Sequence, residues 1–323
     1  MKKRNTVFQH LDLYVRLSAQ MGVQMKNYKS AVLWALLAAV LYAAGSPFSK
    51  ILLQYIPPAE MAAFLYLGAG TGMGILGMFK IKLGNTAEES SLGKNDVPYT
   101  AGMILLDIAA PVFLMIGLNL TTAANASLLN NFEIAATALV ALLVFGEKVS
   151  RNLWIAISLI MISSIMLTFE DVSGFSFSIG SLFVLLACLC WGFENNCTRK
   201  LSGKNPIQIV IIKGLGSGLG SLVLALLLRE HMAGILYICC AMVLGFISYG
   251  LSIFFYVRAQ RELGAAKTST YYAVAPFISV ILSCLIFREL PDITFFLAFV
   301  IMVAGTYYAS RDTKKAAVSK KSA

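Results

Sequence analysis

Residues Thr121 to Glu147 read TTAANASLLNNFEIAATALVALLVFGE. Small polar residues open the stretch, and a mostly apolar run follows that is about long enough to cross a bilayer as a helix. One carboxylate, Glu133, falls near the middle. A charge at that depth is costly in lipid, so by default it is functional or internally paired. A related stretch, Ala265 to Glu289, recurs near the C-terminus with a similar small-residue entry and a terminal glutamate.

The rest of the chain has the same character. Its 323 residues are 58% hydrophobic and 13% charged, with a mean hydropathy of +0.77. A soluble domain carries about 25% charged residues, so this is the composition of a polytopic membrane protein. A formal charge of +10 would point to nucleic acid in a soluble protein. Here the excess lies in short loops and tails, where it orients membrane spans, and no nucleic-acid partner is expected. The six cysteines lie in expected spans without a CxxC pair and read as small apolar packers. His10 and His231 fall outside the spans and lack partners at metal-ligand spacing. No metal and no cofactor are expected, and no phosphate-loop, nucleophile-elbow or HExxH motif is present. GAGTGMG, Gly68 to Gly74, lies inside an apolar span and reads as helix-packing glycines.

Ten spans are expected. They are Ala31–Ser49, Pro58–Phe79, Pro98–Leu118 (with Asp107 and Pro111), the opening stretch, Asn152–Phe169, Ile179–Cys197, Pro206–Leu228, Ile235–Val257, Ala265–Phe287 and Ile293–Ala309. A polar loop follows the second, and an acidic turn, Glu170-Asp171, follows the fifth. An even number puts both termini on one side. With the N-terminus in the cytoplasm, only Lys50, Arg229 and Arg288 are external and Lys213 lies within a span. The other 22 of the 26 Lys and Arg residues are cytoplasmic, as the positive-inside rule requires. Residues 1–30 form a basic segment. Phe8, Leu11, Val15 and Leu17 there suggest an amphipathic stripe on the membrane surface; translation starting at Met25 is the alternative. A second basic segment covers 310–323.

The two halves, 31–169 and 177–309, resemble each other. Shifted by 148 to 150 residues, Lys50 meets Lys200, and Gly68, Gly70 and Gly72 meet Gly216, Gly218 and Gly220. Shifted by 142, Glu147 meets Glu289 and Ala124 meets Ala266. Five spans per half is an odd number, so the halves must insert in opposite senses. Such inverted repeats are typical of secondary transporters. Gly68, Gly72, Gly214 and Gly218 have the small-xxx-small spacing that lets helices approach in lipid.

Four stretches carry a family resemblance: WALLAAVLYAAGSPFSKIL, TAANASLLNNFEIAATALVALLVFGE, LACLCWGFENNCTRKL and, above all, LGAAKTSTYYAVAPFISVILSCLIFREL. The chain resembles an EamA-type member of the drug/metabolite transporter superfamily over about residues 30 to 310. The resemblance implies an all-α membrane protein of ten helices in two inverted five-helix repeats, with alternating access around a central cavity. It implies a small-molecule substrate, commonly exported, and supplies no binding residue to carry over.

Four ionisable residues lie well inside spans, away from their ends. Glu194 and Lys213 sit at similar depths and are expected either to pair or to leave Lys213 to attract an anionic group of the substrate. Asp107 and Glu133 sit near mid-span with no basic neighbour evident at their depth. A carboxylate buried without a cation can hold a proton near neutral pH. That suits proton coupling or a cationic substrate; a protonated carboxyl hydrogen-bonded to a neighbouring helix is the alternative. Asn130 and Asn131 are the expected amide partners of Glu133, and Asn195 and Asn196 are expected on the same polar path as Glu194. Trp34, Trp191, Tyr271 and Tyr272 are candidate cavity walls. Glu147 and Glu289 read as helix-end anchors, and Trp154 as an interfacial aromatic. The function expected is secondary transport of a small organic metabolite or drug-like compound across the cell (inner) membrane, outward and proton-coupled. A facilitative metabolite or nucleotide-sugar carrier is the alternative. A non-transporting receptor or scaffold and an intramembrane enzyme fit less well, because no loop is long enough for a soluble domain and the spans hold no histidine.

Overall fold

A computed structural model describes residues 29–82, 91–144, 150–171, 176–201, 204–263, 268, 271–288 and 291–321. The basic segment before Lys29, the middle of the polar loop, Glu147 and Glu289 lie outside the described residues. The helices are α1 (Lys29–Leu52), α2 (Pro58–Lys82), α3 (Val97–Leu120), α4 (Ala123–Leu143), α5 (Arg151–Thr168), α6 (Ile179–Leu201) and α7 (Pro206–Leu227). α8 begins as Ile235–Gly245, passes through a π-helical Phe246–Leu251 and ends as Ser252–Leu263; α9 is Ala275–Phe287 and α10 is Ile293–Lys321. Eight of the described helices are long and apolar enough to cross a bilayer, and Ala275–Phe287 and Ile293–Ala309 are shorter apolar helices.

The helix starts follow from local chemistry. Pro58 opens α2 and Pro206 opens α7, where the missing N–H costs no intrahelical bond. The Thr122 side chain accepts from Asn125 N at the start of α4, and Asn205 accepts from Ile207 N and Gln208 N at the start of α7. α4 is interrupted at Asn130-Asn131, between Ala123–Leu129 and Phe132–Leu143. The Asn131 amide donates to Leu128 O at 3.1 Å; a side chain that competes for backbone partners in this way weakens a helix locally. Ahead of α9, a turn at Ala273-Val274 precedes Pro276, which has no N–H to donate and disfavours helical geometry just before it. At the 142-residue shift Asn131 meets Ala273, so the two interruptions correspond. One unexpected element stands where an acidic turn was expected. Strand β1 (Phe169–Asp171) pairs antiparallel with β2 (Ser176–Phe177), with Phe169 opposite Phe177.

Exposure runs opposite to that of a soluble protein. Leu33, Leu105, Leu143, Leu227, Ile235 and Leu285 are exposed, while Glu60, Asp107, Glu194, Ser163, Ser181 and Ser217 are buried. An apolar outside around a polar inside is the arrangement hydrocarbon solvent selects.

The helices meet through glycines. α2 packs on α7 and α8, α3 on α6 and α7, α4 on α6 and α9, and α5 on α10. α2 and α7 run antiparallel: Gly70 lies against Gly214, Leu67 against Gly218, and Gly77 against Ile207 and Ile211. A Cβ on Gly214 would stand 2.5 Å from Gly70 N, and one on Gly70 would stand 2.7 Å from Leu215 N. Gly68 abuts the Met242 backbone, Gly245 the Leu65 backbone, and Gly72 the Phe246 ring. GAGTGMG is therefore a packing face. Gly68→Ala and Gly214→Ala each force two backbones apart, at about 1–3 kcal/mol. Gly74→Ala meets nothing within 4 Å. Thermal unfolding of the purified protein is expected to show a lower Tm for the first two and an unchanged Tm for the third.

Candidate functional site

Four helices bring the in-span charges together. α3 supplies Asp107, α6 supplies Glu194, Asn195 and Trp191, α7 supplies Lys213, and α4 supplies Glu133. The Lys213 ammonium lies 2.9 Å from Asp107 Oδ2 and 3.1 Å from Glu194 Oε1. Asp107 is fully buried and Glu194 nearly so, while the Lys213 side chain is 18% exposed. Asp107 Oδ1 accepts from Tyr66 OH at 3.3 Å and from Trp191 Nε1 at 3.2 Å. Glu194 also accepts from the Thr198 hydroxyl.

One expectation changes here, and of the two readings of Lys213 the pairing with Glu194 is the one observed. Asp107 does have a cation beside it. It sits nearer mid-span than Lys213, but α3 packs directly on α7, and the flexible lysine stem carries the ammonium along the interface to it. Lys213 is also not free to receive an anionic substrate group, because two carboxylates already hold it.

Glu133 is the remaining charge. It is half-buried, and among the described residues it has no cation partner. Its Oε1 accepts from Asn195 Nδ2 at 2.6 Å, and the same amide donates to Thr137 Oγ1 at 3.1 Å. Asn130 and Asn131 do not serve as its amide partners. Asn130 lies three residues before Glu133, a spacing that shares one face of an unbroken helix, but the interruption of α4 falls between them. Asn131 instead binds Leu128 O and accepts from Thr306 Oγ1 of α10 at 3.4 Å. Asn196 donates to Thr137 O at 3.2 Å and Gly192 O at 2.8 Å, tying α6 to α4.

Tyrosines that the sequence did not single out complete the site. Tyr42 of α1, Tyr66 of α2 and Tyr249 of the π-helical segment are connected by ring contacts. Tyr42 and Tyr249 centroids are 5.9 Å apart, Tyr66 and Tyr249 5.4 Å, and Tyr42 and Tyr272 5.6 Å. The Tyr272 and Ser252 hydroxyls are 3.3 Å apart. Tyr42, Tyr249 and Tyr272 have the Glu133 carboxylate in their wider surroundings. Of the aromatics expected as walls, Trp191 and Tyr272 are present. Trp34 and Tyr271 pack elsewhere, around Ala31, Ala35 and Ala259, with Trp34 stacked on Phe255 at 5.0 Å and the Arg258 guanidinium over its ring. A cavity of about 380 Å³ opens where α4 begins, lined by Asn125, Ser283, Asp292 and Phe295 among others, and it contains none of the central charges.

A bundle of long apolar helices with an apolar outer face and converging internal charges is that of a multi-pass membrane protein. The chain belongs to the EamA-like transporter family, whose model matches residues 29–169 and 178–311, and which is part of the drug/metabolite transporter superfamily. An uncharacterized transporter of Methanothermobacter thermautotrophicus is 24% identical over 286 residues, 84% of this chain and 83% of that protein. The uncharacterized transporter YyaM of Bacillus subtilis is 21% identical over 244 residues, 73% of this chain and 79% of that protein. A solved crystal structure shares the fold with a TM-score of 0.62 at 15% identity, covering 88% of this chain and 97% of its own.

The charge triad makes a stability prediction. Lys213→Met leaves two buried carboxylates without their cation, and breaking a buried pair costs about 3–5 kcal/mol. Adding Asp107→Asn and Glu194→Gln to Lys213→Met removes those charges and is expected to restore most of the lost Tm, read by thermal unfolding of the purified protein.

Proposed function

We propose that this chain is a proton-coupled exporter of a small organic metabolite or drug-like compound, working by alternating access in the cell (inner) membrane. The observation that carries this reading is the uneven charge balance at the centre. Lys213 serves Asp107 and Glu194 together, while among the described residues Glu133 has one side-chain amide donor and no ion-pair partner. A proton arriving at Glu133 removes an uncompensated charge, and a proton leaving restores it. The ionisable groups in the wider surroundings of Glu133 are Glu194, Lys213, Cys188 and the three tyrosines.

The same reading takes the fold as ten spans in two inverted five-helix repeats, 31–169 and 177–309, between cytoplasmic segments 1–30 and 310–323. Three features support it. α2, α4 and α5 each pack against their counterparts α7, α9 and α10. α2 and α7 are antiparallel at their contact, as a two-fold axis in the membrane plane requires. The interruptions in α4 and ahead of α9 correspond, and paired discontinuous helices mark transporter binding sites near the bilayer midplane. In this frame Lys50, Arg229 and Arg288 stand at the external end. Lys50 Nζ caps α3 there, donating to Leu118 O at 2.5 Å and Thr121 O at 2.8 Å.

Proteoliposomes loaded with a compound identified by a thermal-shift screen test the coupling. An acidic external medium is expected to accelerate efflux in the native protein. Glu133→Gln is expected to lose that response at least tenfold while retaining downhill exchange. Unchanged acceleration in both Glu133→Gln and Asp107→Asn would sink the coupling.

A further inference from the structure

We propose that the cavity where α4 begins binds a neutral polyhydroxylated molecule, a polyol or monosaccharide, through Thr122, Asn125, Ser178, Ser283, Asp292 and Thr294. This is a site apart from the central charges. Its placement at the external face rests on the transporter frame above; its chemistry does not.

The first observation is the space. A volume of about 380 Å³ falls within the range of small-molecule sites, about 300–1,000 Å³. Both halves of the chain build the walls. The first half gives the start of α4 and the end of α5; the second gives the approach to α6, the end of α9 and the start of α10. Thr122 and Asp292 are exposed and mark the mouth, while Ser178 and Ser283 are buried.

The second is an unmatched acceptor. Asn125 Nδ2 donates to Thr121 Oγ1 at 3.1 Å, to Leu167 O at 3.2 Å and to Ser181 Oγ at 2.9 Å. A carbonyl can only accept, and Ser181 directs its own proton to the same Leu167 O at 3.3 Å. The amide is therefore fixed in this sense, since turned round its oxygen would face two acceptors. Its Oδ1 is left buried with no donor among the described residues. Buried polar atoms are nearly always paired, so this one calls for a partner.

The third is the mixture of hydrogen-bonding groups. Ser283 Oγ donates to Ser279 O at 2.7 Å, which leaves its lone pairs to accept. Thr122 Oγ1 accepts from Asn125 N at 3.1 Å, and Ser178 Oγ accepts from Ser181 N at 3.3 Å, which leaves their protons to donate. A hydroxyl has one proton and two lone pairs, so a ligand with several hydroxyls serves both kinds. An ammonium only donates and a carboxylate only accepts. The charges agree. Asp292 is the only charged side chain among the described lining residues. Its Oδ1 already accepts from Phe295 N at 2.8 Å, on the positive end of α10. An anion would meet a carboxylate, and a cation would meet one whose charge is already partly offset.

Binding to the full chain in lipid nanodiscs, free of sugar-headed detergent, tests the assignment by saturation-transfer NMR titration. Sorbitol, N-methylglucamine and gluconate share a hydroxylated six-carbon body and are neutral, cationic and anionic. The diol 1,6-hexanediol keeps the length with only the terminal hydroxyls. Sorbitol is expected to bind at least fivefold more tightly than the other three. Ser283→Ala combined with Thr294→Val is expected to weaken it at least fivefold. Asp292→Asn keeps an acceptor and a helix cap while removing the charge, and is expected to change sorbitol affinity less than twofold. Gel filtration and thermal unfolding establish that each variant is folded, and the ranking of probes on the native protein is decisive without them. Tighter binding of N-methylglucamine that Asp292→Asn abolishes would make this a cation site, and tighter binding of gluconate an anion site. Either result overturns the proposal, as do equal binding of all four probes, no binding of any, or sorbitol affinity indifferent to the double substitution. The two proposals fail separately. Proton-driven efflux without sorbitol binding removes this site and keeps the transporter. Sorbitol binding without flux of any compound keeps the site and removes the transport cycle.

Discussion

Lys213 is shared between Asp107 and Glu194, and the chemistry of the interior depends on that sharing. One ammonium offsets part of the charge of two carboxylates at 2.9 and 3.1 Å. In a medium of low polarity those attractions are strong, and so is the cost of withdrawing the three groups from water. The balance is acceptable only because Tyr66, Trp191 and Thr198 supply further donors to the carboxylates. Once Lys213 is committed in this way, Glu133 is left as the charge the fold does not neutralise.

That arrangement needs close helix approach. Lys213 precedes Gly214, which seats on Gly70 of α2, and Gly216 lies against Ile104 of α3. Without side chains at these glycines, α7 comes near enough to α2 and α3 for the lysine to reach Asp107. No hydrophobic force draws helices together in lipid, so small residues govern how close they come. The glycine face and the ion triad are thus two parts of one device, the first setting the distance that the second requires.

Much of this was legible in the chain itself. Apolar runs give the spans, because hydrocarbon forces backbone groups to pair within each helix. Matching glycines and terminal glutamates suggest the repeat. The Glu194–Lys213 pairing follows from similar depths. The Asp107–Lys213 contact does not, because depth along separate helices fixes neither which helices touch nor how far a flexible side chain extends. Tyr42, Tyr66 and Tyr249 were also hidden, since an aromatic residue within an apolar run looks like packing until its neighbours are known. Asn130 misled for a local reason: its three-residue spacing to Glu133 shares a face only in a continuous helix, and it stands where the helix breaks; Asn131, two residues away, would not share that face even in an unbroken helix. The π-helical turn and the short strand pair left no pattern in the residues that form them.

The central claim is that, of the three carboxylates at the centre, Asp107, Glu194 and Glu133, Glu133 is the one that exchanges a proton. Difference infrared spectroscopy of the protein in bilayers, stepped from alkaline to acidic pH, measures this directly through the stretch of a protonated carboxyl group. The account predicts a carboxyl band that appears on acidification, is absent in Glu133→Gln and persists in Glu194→Gln. A band that survives Glu133→Gln and disappears in Asp107→Asn would contradict it.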